Sequence, residues 1–219
     1  VIIRFLGSTS GTPSAGRGLP GIGVQRPGEV IVLDCGEGFQ HRFLGSGVGL
    51  NRPLKVFITH LHGDHVYGLP ALLYSMSILG REAPVHVYGP RGIRGYLEAS
   101  LEAGGSGLAF PLRVEEVGAG LVLDAGDYRV EAVEVDHSVP GLAYSIRERD
   151  RPGKFDVRRA EELGIPPGPL RKELQMGRAV RLGDGRVVAP EEVLGPPVRG
   201  LHLVYTGDTR PSEKVVRLA

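Results

Sequence analysis

The sequence predicts an α/β protein in which β-sheets pack as a sandwich with helices outside. Apolar runs typical of buried strands alternate with segments of helical spacing over residues 30–102. Strand-like runs then follow one another without helices over residues 112–147, and a last apolar run lies at residues 201–205. Strands that alternate with helices and then continue as hairpins are typical of this layered class.

The first half of the chain predicts the alternating part of this fold. Residues 1–7 predict a strand, and residues 8–23 predict a glycine- and serine-rich loop that is long enough to have a functional role. Leu69, Leu72 and Met76 have the spacing of one helix face. The elements predicted after the loop are a strand at 30–33, a short helix at 39–44, a strand at 56–59, a helix at 67–79, a strand at 85–88 and a helix at 91–102.

The second half predicts further strands and one inserted segment. Residues 147–200 are rich in proline, glycine and charge, and they contain few large apolar side chains, with helical patches at 157–163 and 170–176. We therefore predict a single domain over residues 1–219, with a flexible arm inserted at 147–200 that has no core of its own. The strands of this half are predicted at 112–117, 121–123, 128–135, 141–147 and 201–205.

Charge and composition narrow the classes of partner. The chain has a net charge of +1, but the segment from Arg147 to Arg186 holds 11 basic and 7 acidic residues, a local excess of 4. Such an excess fits either a nucleic-acid footprint or an ordinary solvated face. No apolar run approaches the roughly 20 residues that span a membrane. Cys35 is the only cysteine, which excludes an internal disulfide and fits a cytoplasmic protein.

The segment from Thr59 to His65 is the strongest functional signal in the chain. His60 and His62 lie two residues apart after an apolar strand, so their side chains point to the same face. Gly63 permits a sharp turn that brings Asp64 and His65 to a second position beside the first. Clustered imidazoles are costly to bury without a function. Nitrogen and oxygen ligands in this pattern suit two adjacent divalent cations, most naturally zinc.

Two residues from distant strand ends complete the candidate ligand set. His137 follows one predicted strand, and Asp208 lies in a small-residue turn after another. We expect His60, His62 and His137 to hold one ion. Asp64 and His65 are expected to hold a second ion, and Asp208 is expected to bridge the two. Asp34 is expected to orient a ligand histidine, although a purely structural role is an open alternative.

These residues resemble the metallo-β-lactamase superfamily, whose signature is His-x-His-x-Asp-His. More narrowly, the chain resembles the tRNase Z family over essentially its whole length. The resemblance rests on the metal motif and on four further segments: Leu6-Gly7-Ser8-Thr9-Ser10-Gly11-Thr12-Pro13-Ser14, Asp34-Cys35-Gly36-Glu37-Gly38, Tyr205-Thr206-Gly207-Asp208-Thr209-Arg210, and Arg151-Pro152-Gly153-Lys154-Phe155-Asp156 followed by Gly164-Ile165-Pro166-Pro167-Gly168-Pro169. The last segment corresponds to the tRNA-binding arm of that family.

The resemblance implies a fold, an activity and partners. The fold is the four-layer αββα sandwich of the superfamily. The activity is that of a zinc-dependent endoribonuclease that removes the 3′ trailer from precursor tRNA and leaves a 3′-hydroxyl on the tRNA. Two zinc ions per subunit are implied, with manganese or magnesium as alternatives, and Asp64 is the implied catalytic residue that takes a proton from the attacking water. The partners implied are precursor tRNA and a second copy of the chain.

The resemblance also assigns tRNA contacts to the arm. Proline at an exposed tip reduces the entropy lost on binding, and basic side chains beside it can contact phosphates. The candidate tRNA-binding residues are Arg151, Lys154, Arg158, Arg159, Gly164, Pro166, Pro167, Gly168, Pro169, Arg171 and Lys172.

The family pattern continues beyond the Thr206-Gly207-Asp208-Thr209 turn, and this leaves alternatives open. We expect the chain to be a fragment of a longer enzyme, truncated at its C-terminus, whose second ion lacks one histidine ligand. Weak second-site binding and poor catalysis follow from that expectation. The alternatives are another hydrolase of the superfamily, acting on small phosphodiesters or thiolesters, or a catalytically impaired tRNA-binding fragment.

Overall fold

The computed structural model describes residues 1–105 and 107–219 and divides into two units. The first unit comprises residues 1–124, 130–146 and 203–219. The second comprises residues 125–129 and 147–202. The mixture of sheets and helices confirms the predicted α/β class.

A six-stranded mixed sheet forms one layer of the first unit. Its strands lie in sequence order, and the first two pairings are antiparallel while the remaining three are parallel. Val32 pairs with Val56, which pairs with Val87, so three buried valines cross the middle of the sheet. The strands are β1 (Ile2–Gly7), β2 (Gly21–Arg26), β3 (Glu29–Leu33), β4 (Leu54–Phe57), β5 (Val85–Gly89) and β6 (Leu112–Glu116).

Strand β2 corrects the prediction of a loop through residue 23. Ile22 and Val24 are buried, but glycines flank Ile22 and conceal the apolar pattern of a strand. A Cβ atom at Gly21 would lie 2.3 Å from the ring of Phe39. The glycine is therefore needed for close packing of this strand against the first helix.

Four helices cover one face of this sheet. They are α1 (Phe39–Gly45), α2 (Gly63–Val66), α3 (Gly68–Ile78) and α4 (Ile93–Ala103). Leu69, Leu72, Leu73 and Met76 of α3 are fully buried, as their helical spacing predicts. They pack in one core with the central valines of the sheet.

A second sheet contains the four strands β7 (Gly120–Asp124), β8 (Tyr128–Glu134), β9 (Leu142–Glu148) and β12 (His202–Tyr205). Their order across the sheet is β12–β9–β8–β7. Tyr144 of β9 is fully buried, and its hydroxyl donates to the carbonyl of Ile58 at 2.8 Å. This bond, with the edge-to-face contact of Phe57 and Tyr144, ties the end of β4 to the second sheet. The chain ends in α7 (Glu213–Leu218).

The second unit contains a small core, so the prediction that the arm has no core was wrong. Its elements are α5 (Val157–Glu162), α6 (Pro169–Gln175), β10 (Val180–Arg181), β11 (Val187–Val188) and a 3₁₀ turn at Pro190–Glu192. The two helices coincide with the predicted helical patches. The apolar residues of this core are few and widely spaced in the sequence, so no hydrophobic pattern predicts it. They come together only in the folded structure. The buried set is Ala160, Ile165, Leu174, Val180, Leu182, Val188 and Val193.

A buried arginine closes the core of the first unit at the end of α3. Arg81 is 1% exposed and donates to the carbonyl oxygens of Leu50, Arg52 and Pro84. Its guanidinium lies 5.5 Å from the ring centroid of Phe110. One side chain thus satisfies the backbone carbonyls of two loops.

We expect Arg81→Met to lower the free energy of unfolding by about 2–4 kcal/mol, because three backbone carbonyls would lose the donors of this buried side chain. Urea unfolding followed by circular dichroism measures the loss. Arg178→Met is the matched control, since Arg178 pairs with Glu173 on an exposed surface and should cost under about 1 kcal/mol. Equal losses in the two variants would show that the buried hydrogen bonds are unimportant.

Candidate metal centre

The end of β4 and the short helix α2 carry the histidine motif. The chain leaves β4 in extended conformation, and His62 at φ −66° and ψ 145° precedes α2. A Cβ atom at Gly63 in this turn would lie 2.3 Å from the ring of the exposed Tyr67, so a larger residue there would displace that ring. This turn places His60 and His65 in the buried floor of the site, with His62 more exposed.

The structure brings all six predicted metal ligands into one cluster. The imidazole centroid of His60 lies 4.8 Å from that of His62, 4.1 Å from that of His65 and 4.8 Å from that of His137. His137 Nε2 lies 3.1 Å from His62 Nδ1. The two groups whose ligand atoms all lie within 4.8 Å of one another are His60, His62 and His137, and His60, His65 and Asp208.

The two carboxylates of the cluster flank His65. The Nε2 atom of His65 lies 3.6 Å from an oxygen of Asp64 and 3.6 Å from an oxygen of Asp208. Asp64 also accepts a hydrogen bond of 2.9 Å from the backbone N–H of Gly11. The long loop after β1 therefore reaches the cluster.

The cluster has the ligand atoms of a cation site, and two of them lack hydrogen-bond partners in the described part of the chain. The Nε2 atoms of His60 and His65 are buried, and neither has a hydrogen-bond partner among the described residues. Buried polar atoms are normally paired, so such orphans call for an explanation. A divalent cation bound by imidazole nitrogens and carboxylate oxygens would satisfy both atoms. The residues present thus fit a bound metal ion.

The electrostatics keep His60 and Asp64 in the forms that bind cations, whereas those of His65 favour its protonated form. Burial, together with the neighbouring imidazoles, lowers the pKa of His60 to about 4, so this ring is neutral at pH 7. Burial alone would raise the pKa of Asp64, but the Gly11 N–H and the nearby His65 bring that pKa below its ordinary value. Burial opposes the effect of Asp34 on His65, whose pKa is nevertheless raised by its bond to that carboxylate.

Asp34 is a buried hub beneath the cluster. Its backbone has a φ of +58°, and it is the only non-glycine residue with positive φ among the described residues. Its side chain is fully buried and accepts hydrogen bonds from four groups. These are the Thr59 N–H at 2.7 Å, the Thr59 hydroxyl at 2.8 Å, His65 Nδ1 at 2.6 Å and the Tyr205 hydroxyl at 2.9 Å. The bond to His65 is the orienting contact expected from the sequence.

We expect Asp34→Ala to lower the free energy of unfolding of the metal-free protein by about 3–5 kcal/mol. The four donors would be left buried without an acceptor, and alanine tolerates positive φ poorly. Asp34→Asn is the matched variant, because asparagine has the same shape and accepts the left-handed conformation. Urea unfolding should show a smaller loss of unfolding free energy for Asp34→Asn than for Asp34→Ala. If Asp34→Ala is as stable as the parent, the hydrogen bonds to Asp34 do not stabilise the fold.

Sequence reasoning missed two residues of this site. Thr59 and Tyr205 were assigned only to strand ends, yet both donate to Asp34. Their positions in the sequence could have indicated them, because each residue immediately precedes a turn that carries metal ligands. Gly207 explains the turn that delivers Asp208, because its φ is +55° and a Cβ atom there would lie 2.6 Å from Thr59 Oγ1.

A cavity of about 470 Å³ adjoins the cluster at His137. Apolar walls are formed by Pro90, Val139 and Pro140, and Arg91 contributes a cationic side chain. This size falls within the usual range for small-molecule and substrate sites. The cavity therefore lies beside the cluster and reaches it at His137.

The structure places the candidate tRNA-binding residues in the second unit, and most of them are exposed. Arg171 is the exception, because its guanidinium donates twice to the carbonyl of Ile165. Arg159 forms an ion pair of 2.9 Å with Glu162. The exposed members are Arg151, Lys154, Arg158, Arg159, Gly164, Pro166, Pro167, Gly168, Pro169 and Lys172.

Comparison with known proteins connects this site to a family. The chain is 41% identical over 220 residues to "Ribonuclease Z" of Bacillus licheniformis, an alignment that covers 99% of this chain and 72% of that protein. The chain belongs to the ribonuclease Z family. Residues 20–144 match the family profile described as "Anti-Pycsar protein Apyc1", so that part of the chain belongs to this family of domains as well.

Solved structures agree with the ribonuclease Z assignment. The short form of human tRNase Z superposes with a TM-score of 0.61 at 31% identity, covering 67% of this chain and 64% of that one. A metallo-β-lactamase fold protein from Bacillus subtilis, YhfI, superposes with a TM-score of 0.53 at 19% identity, covering 66% of this chain and 57% of that one. The second likeness concerns the fold alone. The predicted fold class is confirmed by both.

Proposed function

We propose that this chain carries the metal centre and the substrate arm of a zinc-dependent endoribonuclease that removes the 3′ trailer from precursor tRNA and leaves a 3′-hydroxyl. The observation that carries the proposal is the convergence of His60, His62, His65, His137, Asp64 and Asp208 in one cluster. Its support from the relatives is that the Bacillus licheniformis ribonuclease Z matches 99% of the chain, including the arm.

We assign the ligands of the proposed site to two neighbouring positions. His60, His62 and His137 form the first group, and Asp64 and His65 lie at the second, with Asp208 near both. Bound divalent cations would supply Lewis-acid polarisation of the phosphoryl oxygens and a lowered pKa for water. Zinc suits this mixture of imidazoles and carboxylates best, and manganese or magnesium are alternatives.

Asp64 is the proposed proton acceptor of the reaction. Its carboxylate is held at the edge of the cluster by the Gly11 N–H, and its lowered pKa keeps it anionic. A positioned carboxylate can take the proton of an attacking water molecule.

The second unit supports recognition of the tRNA body. Gly168 has φ 130° and ψ −146°, a conformation open essentially to glycine alone, and it sits among the exposed prolines of the tip. Arg158 and Lys172 are exposed beside it, and neither forms an ion pair with another described residue. Folded RNA is recognised mainly through its shape and its phosphates, which a stiff basic tip can contact.

Two further parts of the proposal concern assembly and location. We propose a homodimer in which the arm of each subunit reaches the tRNA held by the other, which light scattering of the purified protein tests. No helix in residues 1–105 or 107–219 has the length and apolar character needed to cross a membrane. The cytoplasmic location stays a prediction.

The decisive experiment is incubation of the purified chain with precursor tRNA labelled at its 5′ end. In parallel, a version extended to the full family length is tested under the same conditions. We expect one cut at the 3′ end of the acceptor stem, a 3′-hydroxyl product, loss of cleavage with a chelator and recovery with zinc.

Other outcomes distinguish the alternatives. Hydrolysis of small phosphodiesters or thiolesters without tRNA cleavage would favour a small-molecule hydrolase. Binding of tRNA without cleavage, by both the chain and the extended version, would favour a binding protein.

A further inference from the structure

A hydrogen-bond chain leads from Asp34 to two histidines of the cluster. Asp34 contacts His65 directly, with 2.6 Å between Oδ2 and Nδ1. It contacts His60 through Thr59, whose hydroxyl oxygen lies 2.8 Å from Asp34 Oδ2 and 3.0 Å from His60 Nδ1. All four side chains are buried.

The direction of each hydrogen bond follows from what the groups can donate. An ionised carboxylate only accepts, so the single proton of the Thr59 hydroxyl goes to Asp34. The lone pairs of the hydroxyl oxygen then face His60 Nδ1, which must donate its proton to them. The remaining acceptor sites of Asp34 are filled by the Thr59 N–H and the Tyr205 hydroxyl, both of which are donors.

This chain of bonds fixes the same tautomer in both rings. His60 and His65 each carry a proton on Nδ1, and each therefore leaves the lone pair of Nε2 free. Those two Nε2 atoms are the histidine nitrogens that are buried without a partner among the described residues. The unpaired atoms and the direction of the hydrogen bonds agree, although they are independent observations.

We propose that Thr59 is a positioning residue that relays the charge of Asp34 to His60 and so presents Nε2 of His60 to the metal ion. The Asp34 carboxylate thus fixes the tautomer of two histidines, that of His65 directly and that of His60 through the Thr59 hydroxyl. Tyr205 tethers the same carboxylate to β12, the strand that precedes Asp208. This inference rests on the metal site of the proposed function, but it does not depend on RNA being the substrate.

The test compares Thr59→Val with Thr59→Ser. Valine keeps the branched shape and has no hydroxyl, whereas serine keeps the hydroxyl. The first readout is the ¹⁵N NMR spectrum of histidine-labelled, metal-free protein at a pH well above about 6.5, the ordinary pKa of histidine. The His60 signals are assigned by their loss in His60→Gln. We expect the Nδ1–H tautomer in the parent and in Thr59→Ser, and a shift toward Nε2–H in Thr59→Val.

The second readout is zinc affinity, measured by competition with a chromophoric chelator. Loss of an outer hydrogen-bond partner of a ligand histidine typically costs 10–100-fold in affinity, so we expect a loss of about that size for Thr59→Val. Thr59→Ser is expected to keep most of the parent affinity.

Three results would overturn the relay: an Nε2–H tautomer of His60 in the parent, unchanged zinc affinity in Thr59→Val, or an equal loss in Thr59→Ser. The parent spectrum decides the matter even where Thr59→Val fails to fold. If His60 has the Nδ1–H tautomer but the protein cleaves no RNA, the role of Thr59 stands and the proposed nuclease activity is rejected.

Discussion

Replacing Asp64 by asparagine is expected to lower kcat for precursor tRNA by about 10³-fold at saturating zinc, within the range for loss of a general base. Asparagine has the same shape, and its amide oxygen can still accept the Gly11 N–H that holds residue 64 in place at 2.9 Å. It cannot take a proton from water at neutral pH. The fold and tRNA affinity should therefore be preserved while the chemical step is lost.

Single-turnover cleavage of labelled precursor tRNA measures this loss, and a separate zinc titration shows whether the ions are still bound. Glu213→Gln is the matched control, because Glu213 pairs with Arg217 on a surface where both side chains are at least 80% exposed. The control should cleave at the parent rate. A rate within about tenfold of the parent for Asp64→Asn would remove Asp64 from the proton transfer.

The metal cluster was predictable because most of its ligands are local in sequence. His60, His62, Asp64 and His65 lie within one turn, so residue spacing alone places them together. His137 and Asp208 could be proposed because they follow strands, but only the sheet order shows that their strands, β8 and β12, flank β9 in one sheet. Their roles as ligands stay predictions.

The residues that support the ligands were harder to predict from the sequence, because their roles depend on contacts between distant parts of the chain. Thr59 and Tyr205 acquire their roles only when β3, β4 and β12 meet at Asp34, which is separated from Tyr205 by 171 residues. Strand β2 was missed for another reason, since its glycines serve close packing and conceal the strand pattern. The core of the second unit was missed because its apolar residues are spread over several short elements.

The second unit closes on a ladder of backbone hydrogen bonds that permits a clean deletion. Arg151 and Val198 exchange two bonds of 2.9 Å, the Gly195 N–H donates to Lys154, and the Asp156 N–H donates to Val193 at 2.7 Å. Residues 156 and 193 are therefore neighbours across a hairpin-like stem. Asn-Gly in place of residues 157–192 can close that stem, because a two-residue turn suits antiparallel partners.

This deletion is expected to reduce kcat/KM for precursor tRNA by about 100-fold or more and to leave hydrolysis of bis(p-nitrophenyl) phosphate unchanged. The removed segment holds the proline tip and the exposed Arg158 and Lys172, whose charge-assisted contacts would each be worth about 1.5–3 kcal/mol. The six clustered side chains all lie outside it. Equal losses on both substrates would instead indicate that the site itself had been damaged.

A milder variant separates shape from charge in the same arm. Arg158→Gln combined with Lys172→Gln keeps α5, α6 and the small core, and it removes two exposed positive charges. Because each phosphate contact releases counterions, the slope of log affinity against log salt should become less steep by about 1–2. An unchanged slope would show that Arg158 and Lys172 do not contact tRNA phosphates. The effect of the deletion would then come from the shape of the proline tip alone.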